Sequence, residues 1–176
     1  MNTCLIKNII MGTFIIALSF MLPTLSHAQA DTHGGLPRID VDSKAYSATV
    51  KIMGLINKGD YDEAERLSRR LIKSEKRNNK KRNEDSDFYK GAYNSLCVSL
   101  TGLGRIDDAM QVCNQSIGFS PTNWESLKSR ATLYYRTQSF QKSLDDFSLS
   151  LEHAPNNQEI IDVLNQNIGV VKSKIK

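Results

Sequence analysis

Pro121 and Pro155 are 34 residues apart and sit in like surroundings, Ser120-Pro121-Thr122-Asn123 and Ala154-Pro155-Asn156-Asn157. A recurrence at a fixed period of this length constrains the fold more than any other feature of the chain. Superposing the prolines places Tyr93 on Leu127, Cys97 on Ala131, Leu100 on Tyr134, Ala109 on Ser143 and Cys113 on Phe147. Within a unit the apolar spacing is helical, as in Leu127, Ala131 and Tyr134, then Leu144, Phe147 and Leu151. Turn residues separate the halves: Gly102 to Arg105 in one unit, Thr137 to Ser139 in the next. Each unit therefore reads as two antiparallel helices. A lone hairpin of this kind leaves one face unburied, so several must stack.

The pattern resembles the tetratricopeptide repeat, which puts small residues where its two helices cross, bulky ones between, and a proline near the end of the unit. Tyr93, Leu96, Cys97, Leu100, Gly104, Ala109 and Pro121 carry the resemblance in one unit. Leu127, Ala131, Tyr134, Phe140, Ser143, Phe147 and Pro155 carry it in the next, where Arg130 departs from the pattern by replacing a bulky apolar residue. An earlier unit offers Gly59, Asp60, Tyr61 and Ala64 but lacks the closing proline. The resemblance implies an all-α, right-handed solenoid of three repeats, 43–78, 87–121 and 122–155, closed by a capping helix over 156–176. Ile161, Leu164 and Ile168 are the expected inner face of that cap. Thr122 with Glu125, and Asn156 with Glu159, have the spacing of helix-capping pairs. A basic insertion, 75–86, lengthens the first unit; it is expected to be a solvated helix end or loop, with contact to an anionic partner or membrane surface as the alternative.

Residues 1–30 are different material. Lys7 precedes an apolar run from Ile9 to Leu22, Pro23 breaks it, and Ala28-Gln29-Ala30 supplies small residues for cleavage. This is the pattern of a secretory signal peptide. The expectation is an exported protein of a bacterial periplasm, or alternatively a secreted one, touching membrane only through the signal before cleavage. Residues 31–42, with Gly34, Gly35 and Pro37, read as a flexible arm. A formal charge of +4 is too mild for a dedicated nucleic-acid binder, and no nucleic-acid partner is expected.

No catalytic constellation emerges, and the chain is expected to be a non-enzyme without cofactor. It has no glycine-rich phosphate loop, and no Cys or carboxylate stands at metal-ligand spacing from His33 or His153. The pairs Asp107-Asp108 and Asp145-Asp146 point about 100° apart on a helix and are expected on solvated surface. Cleavage after Ala30 would leave Asp31-Thr32-His33, whose amine, amides and imidazole suit square-planar Cu(II) or Ni(II). A periplasmic metal-binding role through His33 is thus the alternative function. Two cysteines survive processing; the repeat register puts Cys97 and Cys113 on facing sides of one unit. Two readings stay open, a disulfide or two buried thiols.

The resemblance also implies where binding would occur. First helices of successive units line a concave groove, and the matching positions here include Tyr46, Met53 and Asn57, then Asn94 and Val98, then Lys128, Thr132, Tyr135 and Arg136. The implied function is an exported adaptor or scaffold that holds a protein or peptide in this groove. Lys128, Tyr135 and Arg136 are the expected contacts for an extended peptide or a carboxylate. Self-association through the end faces is a further expectation.

Overall fold

Apolar positions at helical spacing and glycines between them set the element order. A computed structural model describes residues 40–82 and 85–175. The chain divides into two units, Met1–Arg38 and Ile39–Lys176, and every described residue belongs to the second. The segment expected to be a signal peptide, most of the expected arm and His33 lie outside the described residues. Among the described residues seven helices follow one another: α1 Asp40–Lys58, α2 Tyr61–Arg82, α3 Asp87–Gly102, α4 Ile106–Phe119, α5 Trp124–Arg136, α6 Phe140–His153 and α7 Gln158–Lys172. No strand occurs among the described residues, and no helix there is long and apolar enough to cross a membrane.

The turns within the three hairpins share one device. Gly59 (φ 77°) and Gly104 (φ 74°) adopt the left-handed conformation, which lets the chain reverse between helices. Gln138 takes the equivalent place in the third hairpin at φ 60°, a conformation that costs a side-chain-bearing residue about 1 kcal/mol. The helix starts are set by side chains: Ser86 caps α3, Asn123 caps α5 by accepting from Ser126 N–H, and Asn157 caps α7 by accepting from Ile160 N–H. The expected caps Thr122 and Asn156 are therefore each displaced by one residue. Asparagine takes the site because its short amide oxygen reaches the exposed N–H groups of the first turn.

Helices α1–α2, α3–α4 and α5–α6 form antiparallel hairpins that stack in order, and α7 packs on α6. Three apolar clusters run along the stack. Ala45, Ile52, Ala64, Leu71 and Ala92 join the first two hairpins. Leu96, Cys97, Leu100, Ala109, Cys113 and Leu133 join the second to the third. Ala131, Phe147, Leu164 and Val171 join the third to α7. The small residues at the helix crossings, Ala64, Ala109 and Ala131, are fully buried, which lets the backbones approach. Gly102 serves a close approach between hairpins: a Cβ there would lie 2.5 Å from the Tyr61 ring.

Three features depart from the sequence expectation. First, α1 begins at Asp40, so the helix takes in the last residues assigned to the arm. Second, the first part of the insertion takes the helix-end form of the expectation, since α2 continues unbroken to Arg82, but one side of it is buried rather than solvated. Its inner side is held by polar rather than apolar contacts. Glu75 and Asn79 are buried. Ser86 Oγ donates to Glu75 Oε2 (2.7 Å), Asn79 Nδ2 donates to Asp85 Oδ1 (3.1 Å), and Ser86 N–H donates to Asn79 Oδ1 (3.3 Å). Third, Asp146 is not solvated surface. It is buried and takes a forked pair from Arg130, Nε to Oδ2 at 2.7 Å and Nη2 to Oδ1 at 2.9 Å. Arg130 Nη1 also donates to Asn114 Oδ1, and its guanidinium lies 5.7 Å from the Tyr134 ring centre. The cation at the apolar position of the repeat is thus matched by an anion on the facing helix. Asp146 raises the Arg130 guanidinium above its already high range, so it stays charged.

The Cys97 and Cys113 sulfurs are joined as a disulfide across α3 and α4, with Cα atoms 5.0 Å apart. Both residues are fully buried in the central cluster.

Candidate functional site: the face of the first helices

Successive first helices pack on one another, α1 on α3 and α3 on α5, whereas the second helices make no comparable contact among themselves. The first helices are therefore the crowded, inner layer of the stack. Helix α1 contributes the most exposed apolar surface. Tyr46, Val50 and Met53 are 54%, 52% and 46% exposed, the three largest values among the large apolar side chains described. With exposed Asn57 they fall within an arc of about 60° on the helix. Isolated exposed apolar residues need no explanation, but a row at positions i, i+4 and i+7 is an uncovered strip one side chain wide.

Asn94 and Val98 of α3 are half-buried. The Asn94 Oδ1 atom is buried and has no hydrogen-bond partner among the described residues. A buried amide oxygen left unsatisfied costs roughly 1–3 kcal/mol. Beside it, Tyr89, Tyr93 and Phe119 form an edge-to-face cluster with centroids 5.0 to 5.3 Å apart. Burial, with the Tyr93 hydroxyl 3.3 Å away, pushes the Tyr89 phenol well above its ordinary range, so its ring stays neutral.

On α5 the sequence-expected contacts divide. Lys128 Nζ lies 5.1 Å from the centre of the Trp124 ring, and burial lowers its pKa while Glu125 opposes the shift. Its ammonium is a weakly hydrated charge on an aromatic face. Thr132 donates to the Lys128 carbonyl (2.9 Å) and so is satisfied within the helix. The Tyr135 ring packs on Phe140 at 5.7 Å. Arg136, at the end of α5, is exposed. The apolar strip of α1, half-buried Asn94 and Val98 of α3 and the basic end of α5 thus lie on three neighbouring helices. The repeat register does not reveal that Lys128 and Tyr135 each have an aromatic partner; Trp124, one turn before Lys128, is the available signal. No group of three or more metal-ligating side chains occurs among the described residues.

Comparison with known proteins bears on the fold. No family model matches the chain. The tetratricopeptide domain of P58(IPK) superposes with a TM-score of 0.60 at 17% identity, covering 76% of this chain and 34% of that one. The first tetratricopeptide domain of the human RPAP3 protein superposes with a TM-score of 0.51 at 16% identity, covering 73% and 95%. A stretch of 66 residues is 29% identical to a DnaJ homolog subfamily C member 3 homolog of Dictyostelium discoideum, 38% of this chain but 13% of that protein. The chain spans about a third or less of the first and the last of these. The fold is a tetratricopeptide-repeat solenoid, and the expected architecture of stacked helical hairpins holds.

Proposed function

We propose that this chain is a non-catalytic adaptor that holds an extended segment of a partner protein on the face of α1, α3 and α5. One observation carries the reading: Tyr46, Val50 and Met53 are exposed as a row on α1, which packs on α3. An extended peptide supplies the apolar side chains that would cover the row. Arg136, with Lys128 behind it, suits an acidic or carboxylate end of the same segment. The solved neighbours of this fold support a protein-binding role in general, and only that chemistry defines the partner.

We further propose that it acts outside the cytosol. The leader-like composition of residues 1–30 and the buried Cys97–Cys113 disulfide both support this reading.

The test is affinity capture from the native envelope fraction with tagged wild type and a Val50→Asp, Met53→Glu variant. Both positions are exposed, so the fold should tolerate the changes. The expected result is a partner held by wild type and reduced at least tenfold by the variant, the loss expected when apolar anchors worth about 1.4 kcal/mol or more are removed. Equal recovery by both proteins would remove α1 from the binding face.

A further inference from the structure

The basic excess of the chain is concentrated on one helix face. Arg69 to Arg82 holds eight of the 23 basic residues and one of the 19 acidic ones, which leaves fifteen basic and eighteen acidic elsewhere. The rest of the molecule is therefore net negative, and a strong local field steers anions to this segment. Arg70, Lys73, Lys76, Arg77, Lys80 and Lys81 lie on this helix, all of them exposed, and among the described residues none is in a salt bridge. At 100° per residue they fall within an arc of about 140°. The face is preorganised, because Glu75 and Asn79 on the opposite side clamp α2 to the loop at Asp85 and Ser86.

Along one edge of this face runs an open groove between α1 and α2, with a volume of ≈ 360 Å³. Its floor is apolar, made by Ala45, Ala48, Leu67 and Leu71. Lys44 and Arg70 stand on its rim with Ser74 and Asn78. The one carboxylate of the lining, Glu75, already accepts from Ser86 and Asn78. On α1, the groove residues Lys44 and Ala48 lie roughly half a turn from the Tyr46, Val50, Met53 row. The two surfaces are separate.

We propose that this groove and the basic face of α2 form a second docking site, whose occupant is an acidic peptide segment with apolar side chains at helical spacing. Charge and shape both select it. Apolar side chains fill a floor that a lipid headgroup layer would leave empty, and acidic ones meet the row of cations. No aromatic residue interleaves the cations of Arg69 to Arg82, so the stacking platform a single-stranded nucleic acid uses is missing.

Fluorescence anisotropy with the full chain tests this. The probe is a fluorescein-labelled peptide of repeating Glu-Leu-Leu-Glu blocks, beside counterparts with Gln for Glu or Ser for Leu. The expected result is saturable binding of the first peptide, weakening with added salt, and at least about tenfold weaker binding of both counterparts. A Lys73→Glu, Arg77→Glu, Lys80→Glu variant, checked for native circular dichroism, should lose at least about tenfold. A Ser74→Tyr variant should narrow the groove and weaken binding without changing the charge. The Val50→Asp, Met53→Glu variant should bind the peptide normally, so this site and the inner face succeed or fail separately. Equal affinity for the Gln peptide, full binding by the charge-reversed variant, or no binding of the Glu-Leu-Leu-Glu peptide would overturn the proposal. So would tight capture by phosphatidylserine vesicles without peptide binding, which points to lipid. Concentration-dependent dimers abolished by the charge reversal would overturn it in favour of a second copy.

Discussion

Replacing Arg130 with alanine is expected to lower the unfolding free energy by about 3 kcal/mol, the lower end of the range for breaking a buried ion pair. The lower end applies because the Arg130 side chain keeps 21% of its surface exposed while Asp146 keeps 9%. The loss comes mainly from what remains. Asp146, between α5 and α6, would be a desolvated carboxylate stripped of two charge-assisted hydrogen bonds, and Asn114 would lose its donor. For a domain of this size, that corresponds to a fall in Tm of roughly 10 °C. The double change Arg130→Leu, Asp146→Leu should recover most of the stability, because it removes the uncompensated charge and restores an apolar residue at a position where repeats carry one. Thermal unfolding of the wild type and the two variants checks this. A double variant as unstable as Arg130→Ala would mean that packing of the arginine stem, rather than charge compensation, holds the third hairpin.

Reducing the Cys97–Cys113 bond, or removing it with Cys97→Ala and Cys113→Ala, is expected to cost about 3 kcal/mol. The bond closes a loop with a sequence separation of 16, and the entropy removed from the unfolded chain at that length sets the figure. Burial adds to it, since two fully buried residues at the centre of the stack would lose contact volume in the alanine variant. The consequence extends beyond one repeat. Each hairpin is stabilised by its neighbours, so loosening the middle one uncouples the first from the third. Denaturant unfolding with and without reductant measures the effect. Identical midpoints under the two conditions would show that the bond does not clip the native state.

How far these features can be read from the sequence depends on how locally each is determined. The period, the helical spacing and the turn glycines are local signals, and the hairpins follow them. The repeat register puts Cys97 and Cys113 on facing sides but leaves bond and thiols open, because spacing alone does not fix sulfur geometry. The burial of Asp146 is hidden because its neighbour Asp145 is exposed, and one acid in an adjacent pair says little about the other. Arg130 is the signal that points to it, since a charge at an apolar position calls for a counter-charge nearby. The burial of Glu75 and Asn79 is equally hidden, because it depends on their meeting a loop that begins at Asp85. Of the candidate inner face, the positions are legible from the register. Which of them are covered is not: Trp124 and Phe140 occupy Lys128 and Tyr135, while nothing described covers Tyr46, Val50 and Met53.

A partner segment lying along the inner layer of first helices is the central claim. Site-specific photocrosslinking in the native cell tests it most directly, with benzoylphenylalanine at Met53 on the inner face and, in a separate protein, at Asp145 on the exposed side of α6. A discrete adduct is expected from position 53, lost when Val50→Asp is added, with none of that mass from position 145. Adducts of the same mass from both positions, or from position 145 alone, would contradict the claim.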